Sequence, residues 1–213
     1  MPRSPVVHII DDDRDVLKSL GFLMAAHDLP YRTYDAARSF LDILTLETAG
    51  CILSDVRMPG MDGLELLSRV RAHGVFLPFI VMTGHGDIPL AVRAMKQGAT
   101  DFIEKPFGEK ALLNIVMGAL EVDRQNEQRE IKARDARERL SLLTTRETQI
   151  LELVATGLSS KVIAYQLDLS ARTVDVHRAN ILSKLNVDNA ISAVALLVEG
   201  RPTASLQAHA DET

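Results

Sequence analysis

The chain has 213 residues, 46% of them apolar and 25% charged, which is the composition of a globular protein long enough for two modest domains. A single cysteine, Cys51, excludes an internal disulfide framework, and no apolar run approaches the roughly 20 residues of a membrane span. Residues 1–121 carry 12 Lys+Arg against 16 Asp+Glu, 122–140 carry 6 against 5 and 141–213 carry 6 against 8. No segment therefore has the basic excess that announces a nucleic-acid binder unaided. "MPRSPVVHII" runs straight into folded sequence without a cleavage region, so a cytoplasmic protein without membrane contact is expected.

Short β-rich runs alternate with helix-period segments as far as residue 121. The candidate strands are "VVHIID", "PYRTYD", "CILSD", "FIVMT" and "DFIEK". The segments that follow them are "DVLKSLGFLMAAH", "AARSFLDILTLET", "LELLSRVRAHG", "IPLAVRAMKQG" and "EKALLNIVMGALE". In the first of these Leu17, Leu20, Leu23 and Met24 share the i, i+3, i+4 spacing of one buried helical face. Such alternation implies βα units with right-handed crossovers and helices on both faces of a parallel sheet. The expected fold is α/β and flavodoxin-like, (βα)5, with strand order 2-1-3-4-5.

In an open parallel sheet, chemistry gathers at the carboxyl ends of the strands. Those ends carry Asp11 and Asp12, Asp55, Thr83 and Lys105. Three carboxylates without a cation would repel one another. Mg²⁺ (or Mn²⁺) relieves the repulsion with oxygen ligands and retained waters, and suits an incoming phosphoryl group, whose transfer needs positioning and charge neutralisation. Lys105 could hold a phosphate oxygen and Thr83 could donate a hydroxyl hydrogen bond, giving a phospho-acceptor site. Asp13 and Asp15 keep the plainer role of acids that solvate a turn and favour a helix N-terminus.

The set Asp11-Asp12, "LSDVRMPGMDG" around Asp55, "MTGHG" with Thr83, and "DFIEKPF" with Phe102 and Lys105-Pro106 resembles a response-regulator receiver domain. The resemblance implies that Asp55 is phosphorylated by a sensor histidine kinase. It places Asp11, Asp12, Asp55 and the Arg57 carbonyl round the metal, with Asp12 the stronger candidate for a direct ligand. It further implies a switch in which Thr83 moves to the phosphate and Phe102 changes rotamer, a cis Lys105-Pro106 bond, and a phospho-Asp lifetime tied to Arg57 and His85. Two rival readings fit less well. A dehalogenase-type phosphatase could use Asp11 and Asp13, with "GHGDIP" as its late acidic loop, but leaves "LSDVRMPGMDG" without a role. A calcium loop from Asp11 lacks Gly at its sixth position and Glu at its twelfth.

"VDRQNEQREIKARDARERL", residues 122–140, has no Gly or Pro and no clear apolar stripe. Glu130 with Arg134 and Asp135 with Arg139 are acid-first i, i+4 pairs, so a solvated helix continuing the fifth is expected, acting as a lever. From Ser141 the pattern is all-helical. "TTRE" fits a capping box, Gly157 a helix stop and Ser170 an N-cap. Val174, His177, Ile181 and Leu185 form one seam of the helix after Ser170, where His177 is expected to pack and hydrogen-bond. Arg172, Asp175, Val176, Ala179 and Ser183 lie opposite, where a recognition helix meets the major groove. Lys161, Thr173, Arg178, Asn180 and Lys184 flank them, better placed for phosphates or neighbouring helices.

"LTTRETQILELVATGLSSKVIAYQLDLSARTVDVHRANILSKLNV" is similar to the LuxR-type helix-turn-helix, an all-α four-helix domain. The expected organisation is a receiver at 1–121, a charged helical linker at 122–140, a DNA-binding domain at 141–200 and a disordered tail at 201–213. Together the two halves resemble two-component response regulators of the NarL/FixJ class. That class implies phosphorylation-driven homodimerisation, binding to double-stranded promoter DNA and contact with RNA polymerase. The alternative, motivated by Asp175 and the acidic C-terminal domain, is a receiver with protein–protein output and a helix-turn-helix that no longer binds DNA.

Overall fold

The computed structural model describes residues 3–84 and 88–201. His85 and residues 202–213, most of the expected tail, lie outside them. The chain divides into two compact units, Met1–Asn126 and Glu127–Thr213, and the division falls inside the span read as a linker.

The first unit is a parallel sheet of order β2-β1-β3-β4-β5. Its elements are β1 (Val6–Ile10), α1 (Arg14–Ala26), β2 (Tyr31–Tyr34), α2 (Ala37–Leu41), β3 (Gly50–Asp55), α3 (Gly63–Ala72), β4 (Phe79–Thr83), α4 (Ile88–Lys96), β5 (Asp101–Glu104) and the start of α5 (Glu109–Leu140). Alternate residues of each central strand enter different cores. Val7, Ile9, Leu53 and Met82 pack with Leu17, Leu20 and Met24 of α1 and Leu112 and Val116 of α5. Ile10, Ile52, Phe79 and Val81 pack with Phe40 of α2 and Leu66, Leu67 and Val70 of α3. Both faces are thus covered, as a parallel sheet requires.

Two glycines hold this arrangement close. Gly50, at φ 109°, starts β3 where a Cβ would stand 2.0 Å from the Val6 carbonyl oxygen. Gly63 opens α3, where a Cβ would stand 2.3 Å from the Asp55 carbonyl oxygen.

Helix α2 is shorter than "AARSFLDILTLET" suggests, ending at Leu41. Beyond it Ile43 and Leu44 make i−3 bonds, and the Thr48 hydroxyl accepts the Thr45 N–H at 3.0 Å. Threonine side chains here take backbone groups that a helix would have paired.

Helix α5 runs unbroken from Glu109 to Leu140, so residues 122–140 are helical as expected. Asp135 pairs with Arg139 at 3.1 Å. Glu130, expected to pair with Arg134, instead meets Arg137 at 2.6 Å. Seven residues bring a helix back to nearly the same angle, so a long arginine can reach across the two turns.

The second unit holds the last turns of α5, then α6 (Thr145–Ala155), α7 (Ser160–Leu167), α8 (Ala171–Leu185) and α9 (Ala190–Glu199). Ala136, Ile150, Leu151, Ile163, Val174, Ile181, Leu185 and Leu197 form its core. The Thr144 capping box with Glu147 is present, and Ser170 caps α8 by accepting the Thr173 N–H. Among the described residues no single helix is long and apolar enough to cross a membrane.

Candidate functional site: a carboxylate pair on one lysine and an exposed helix face

Strand register gathers the first set of residues. Ile10 pairs with Ser54, Asp55 with Met82 and Thr83 with Glu104. Asp11, Asp55, Thr83 and Lys105 therefore share one edge of the sheet. The Lys105 ammonium donates to Asp11 Oδ2 at 2.7 Å and to Asp55 Oδ1 at 2.6 Å. Asp11 is 2% exposed, and its other oxygen accepts the Asp13 N–H at 2.9 Å. Asp55 Oδ2 accepts the Arg57 N–H at 2.6 Å. Burial alone would lower the Lys105 pKa, but hydrogen bonds to Asp11 and Asp55 and their charges outweigh it and raise it. The Lys105-Pro106 peptide is cis.

Not every expected residue joins this cluster. Asp12 is exposed and makes no hydrogen bond or ion pair with a described residue. Thr83 is buried, and its hydroxyl donates to the Gly84 carbonyl at 3.4 Å. Phe102 is 43% exposed. Among the described residues no group of three or more His, Cys, Asp or Glu side chains is arranged to hold a metal ion. Lys105 stands between two of the expected carboxylates instead. Asp13 does what its position suggested, capping α1 by accepting the Asp15 and Val16 N–H groups.

The donor set nevertheless fits a hard divalent cation. Asp11, Asp12 and Asp55 against Lys105 leave an excess of negative charge on oxygen atoms, the ligands that Mg²⁺ takes, and Asp12 is uncommitted.

In the second unit the residues expected to meet DNA separate into two groups. Arg172, Asp175, Val176, Ala179, Asn180 and Ser183 are exposed along α8, and Lys161 is exposed on α7. The others, Thr173, Arg178 and the exposed Lys184, bond to neighbouring side chains instead. The Thr173 hydroxyl lies 2.8 Å from Ser170 Oγ, Arg178 donates to Ser160 Oγ at 3.1 Å, and Lys184 donates to Glu147 Oε2 at 2.7 Å. Glu147 is 3% exposed. Burial opposes its charge, but bonds from Lys184 and from the backbone and hydroxyl of Thr144 outweigh that and bring its pKa down to about 2. This brace between α6 and α8 was not foreseen, because the sequence pattern shows the capping box but not that Lys184 closes it. His177 departs from expectation: Val174, Ile181 and Leu185 are buried, but the His177 Nδ1 is buried without a hydrogen-bond partner. The apolar residues that make the seam supply no polar partner.

A (βα)5 sheet with acids and a lysine at one edge, and a separate helix-turn-helix unit, define a response regulator that controls transcription. Residues 7–117 match the response regulator receiver domain and residues 141–197 the LuxR family of bacterial regulatory proteins; the chain belongs to this family. It is 46% identical to the transcriptional regulatory protein FixJ of Azorhizobium caulinodans over 185 residues, 87% of this chain and 88% of that protein. It is 38% identical to the response regulator protein TodT of Pseudomonas putida, over 88% of this chain and 82% of TodT. Among solved structures, the response regulator StyR superposes with a TM-score of 0.78 at 39% identity, covering 92% of this chain and 99% of StyR. Full-length FixJ from B. japonicum does so with 0.57 at 40% identity, covering 93% and 98%.

Proposed function

We propose that Asp55 accepts a phosphoryl group from the phosphohistidine of a sensor histidine kinase, and that this modification drives homodimerisation, binding to promoter DNA and contact with RNA polymerase in the cytoplasm. The observation that carries the reading is the Lys105 ammonium shared between Asp11 and Asp55. In the transfer an Asp55 oxygen forms a bond to phosphorus, the bond from phosphorus to the histidine nitrogen breaks, and the electron pair leaves with the imidazole. Mg²⁺, held by Asp11, Asp12, Asp55 and the Arg57 carbonyl, would supply the charge neutralisation that phosphoryl transfer requires. Lys105 holds Asp55 in place and is positioned to take a phosphate oxygen. The Arg57 N–H orients the second Asp55 oxygen. Thr83 and Phe102 form the switch, the first by turning its hydroxyl from Gly84 to the phosphate, the second by changing rotamer.

The DNA-reading surface comprises Arg172, Asp175, Val176, Ala179, Asn180 and Ser183, with Lys161 beside it. Replacing Asp55 with Asn tests the reading. No label should pass from a phosphorylated kinase to the variant, nor from a small phosphoryl donor, and neither treatment should increase its dimerisation or DNA binding. Stoichiometric labelling of Asp55→Asn would defeat it.

A further inference from the structure

Helix α5 holds to the sheet through a seam of Leu112, Val116 and Ala119, spaced as one helical face requires. The next position of that seam is Asp123, and it is buried too, at 7% exposure. We propose that Asp123 is the positioning residue that seats the linker helix on the receiver unit, and that the effect of phosphorylation at Asp55 passes through it to the helix-turn-helix unit.

A carboxylate at the end of an apolar seam is costly unless hydrogen bonds satisfy it. Asp123 Oδ2 accepts the Gly50 N–H at 2.8 Å in a buried bond. Ile52, two residues along the same strand, gives its N–H to the Pro78 carbonyl at 2.8 Å. Strand β4 begins only at Phe79, and at Gly50 the helix takes the strand's place. Gly50 is itself confined: it pairs with Val6 of β1, at φ 109° and with no room for a Cβ against the Val6 carbonyl. Contacts of Val116 and Ala119 are non-directional and tolerate small slides and rotations of the helix. A charge-assisted bond to one peptide N–H does not.

Two features connect this bond to the output. Gly50 begins β3 and Asp55 ends it, so the phospho-acceptor and the tie belong to one strand, buried from Gly50 to Ser54. Beyond Asp123 no residue of α5 is buried until Ala136, which belongs to the core of the second unit. Asp123 is therefore the last buried residue of α5 in the first unit, and the helix that follows it is unbroken. With the tie in place, a shift of β3 alters the seating of α5 and is carried along the helix. Without it, β3 can move and leave α5 where it was. The sequence pattern conceals this role, because an aspartate within "VDRQNEQ" reads as part of a solvated face.

The proposal rests on the phosphorylation of Asp55 argued above, and its test uses two full-length variants. Asp123→Leu keeps the seam apolar and removes the acceptor, whereas Asp123→Asn keeps a carbonyl oxygen. Each is labelled with acetyl phosphate and Mg²⁺. Affinity is measured before and after labelling for a DNA fragment selected from a random pool with labelled wild type. Asp123→Leu should take as much label as wild type, but its gain in affinity should be smaller by about fivefold or more, the size of an allosteric coupling. Asp123→Asn should recover the wild-type gain. In wild type the Gly50 amide resonance should shift on labelling, a readout that stands even if Asp123→Leu does not fold. The proposal is overturned by a full gain or reduced labelling in Asp123→Leu, by an equal loss of gain in Asp123→Asn, or by a Gly50 amide that does not respond. Wild type that takes no label, or gains no affinity from it, defeats the reading at Asp55 and this proposal with it.

Discussion

The two units use their buried charges for different ends. In the first, Asp11 and Asp55 are drawn from separate strands onto one lysine at the sheet edge, two carboxylates against a single ammonium. In the second, Glu147 is buried and its Oε2 accepts from Lys184 and from the backbone and hydroxyl of Thr144. It fixes α8 against α6, so that the exposed side of α8 is presented as a rigid surface. Buried charge gathers an acid–lysine cluster at a sheet edge in one unit and braces two helices in the other.

Gly63→Ala offers the harshest challenge to this contrast. Its added Cβ would meet the Asp55 carbonyl oxygen at 2.3 Å and the Val56 Cα at 3.1 Å. Both neighbours are backbone, so α3 and the end of β3 must separate. A loss of about 3 kcal/mol is expected, at the upper end of overpacking costs, together with loss of phosphorylation at Asp55. Urea unfolding should show that loss in the first unit and leave the second unchanged; a stable variant that still takes phosphate would show that close approach of α3 does not position Asp55.

Lys184→Met asks the corresponding question of the second unit. Removing the ammonium leaves the Glu147 carboxylate buried with only the Thr144 bonds, at an expected cost of about 2 kcal/mol. The wild-type brace also carries a pH signature. Glu147 has a folded pKa of about 2 against an ordinary 4.5, so its stabilisation is complete above pH 4.5 and disappears as pH falls towards 2. Thermal melts of Glu147→Gln should accordingly lose the part of the wild-type acid sensitivity that lies in this window. Equal acid sensitivity in both proteins would remove Glu147 from its assigned role.

These two sites also mark what sequence reasoning reaches. Asp11, Asp55 and Lys105 were legible because parallel strands must end at a common edge, and each residue ends or follows an apolar run. The first helix of the second unit was legible from Thr144 and Glu147, three residues apart, since a capping box is local. Lys184 was not, because it lies 37 residues from its partner and helix periodicity gives only the face it occupies, not what that face meets. Gly63 was hidden for a related reason. A glycine after Asp-62 reads as turn chemistry, whereas its importance comes from a carbonyl eight residues back in the chain. Helix α2 was overread because helical periodicity does not register the competition between threonine hydroxyls and the backbone beyond Leu41.

A smaller effect is expected from Arg172→Ala. Arg172 is exposed at the start of α8, in the surface proposed to read DNA, where its guanidinium would meet a guanine edge or a phosphate. Its loss should weaken binding to a specific promoter fragment about tenfold, or ~1.4 kcal/mol, without altering the melting of either unit. Arg178→Ala, whose side chain already donates to Ser160, should shift stability more than affinity. The reverse pattern would mean that Arg178 leaves Ser160 to meet DNA.

Asp175→Asn produces the smallest change in affinity and the most informative one. The wild-type carboxylate is exposed on α8, and if that face meets DNA as proposed it would repel phosphate and lower affinity for every sequence. It can also accept a hydrogen bond from a cytosine amino group. Asparagine retains a carbonyl acceptor but has no charge and adds an amide donor. Affinity for arbitrary DNA should therefore rise by a few-fold at most, while preference for cytosine at one position falls by about 1–3 kcal/mol. Measurement across a set of single-base variants of the site separates these two terms: repulsion alone strengthens all fragments equally, whereas base reading alters the ranking at one position. A uniform gain would leave Asp175 as a guard against wrong sites, and the specificity of α8 would then rest on Arg172, Val176, Ala179, Asn180 and Ser183.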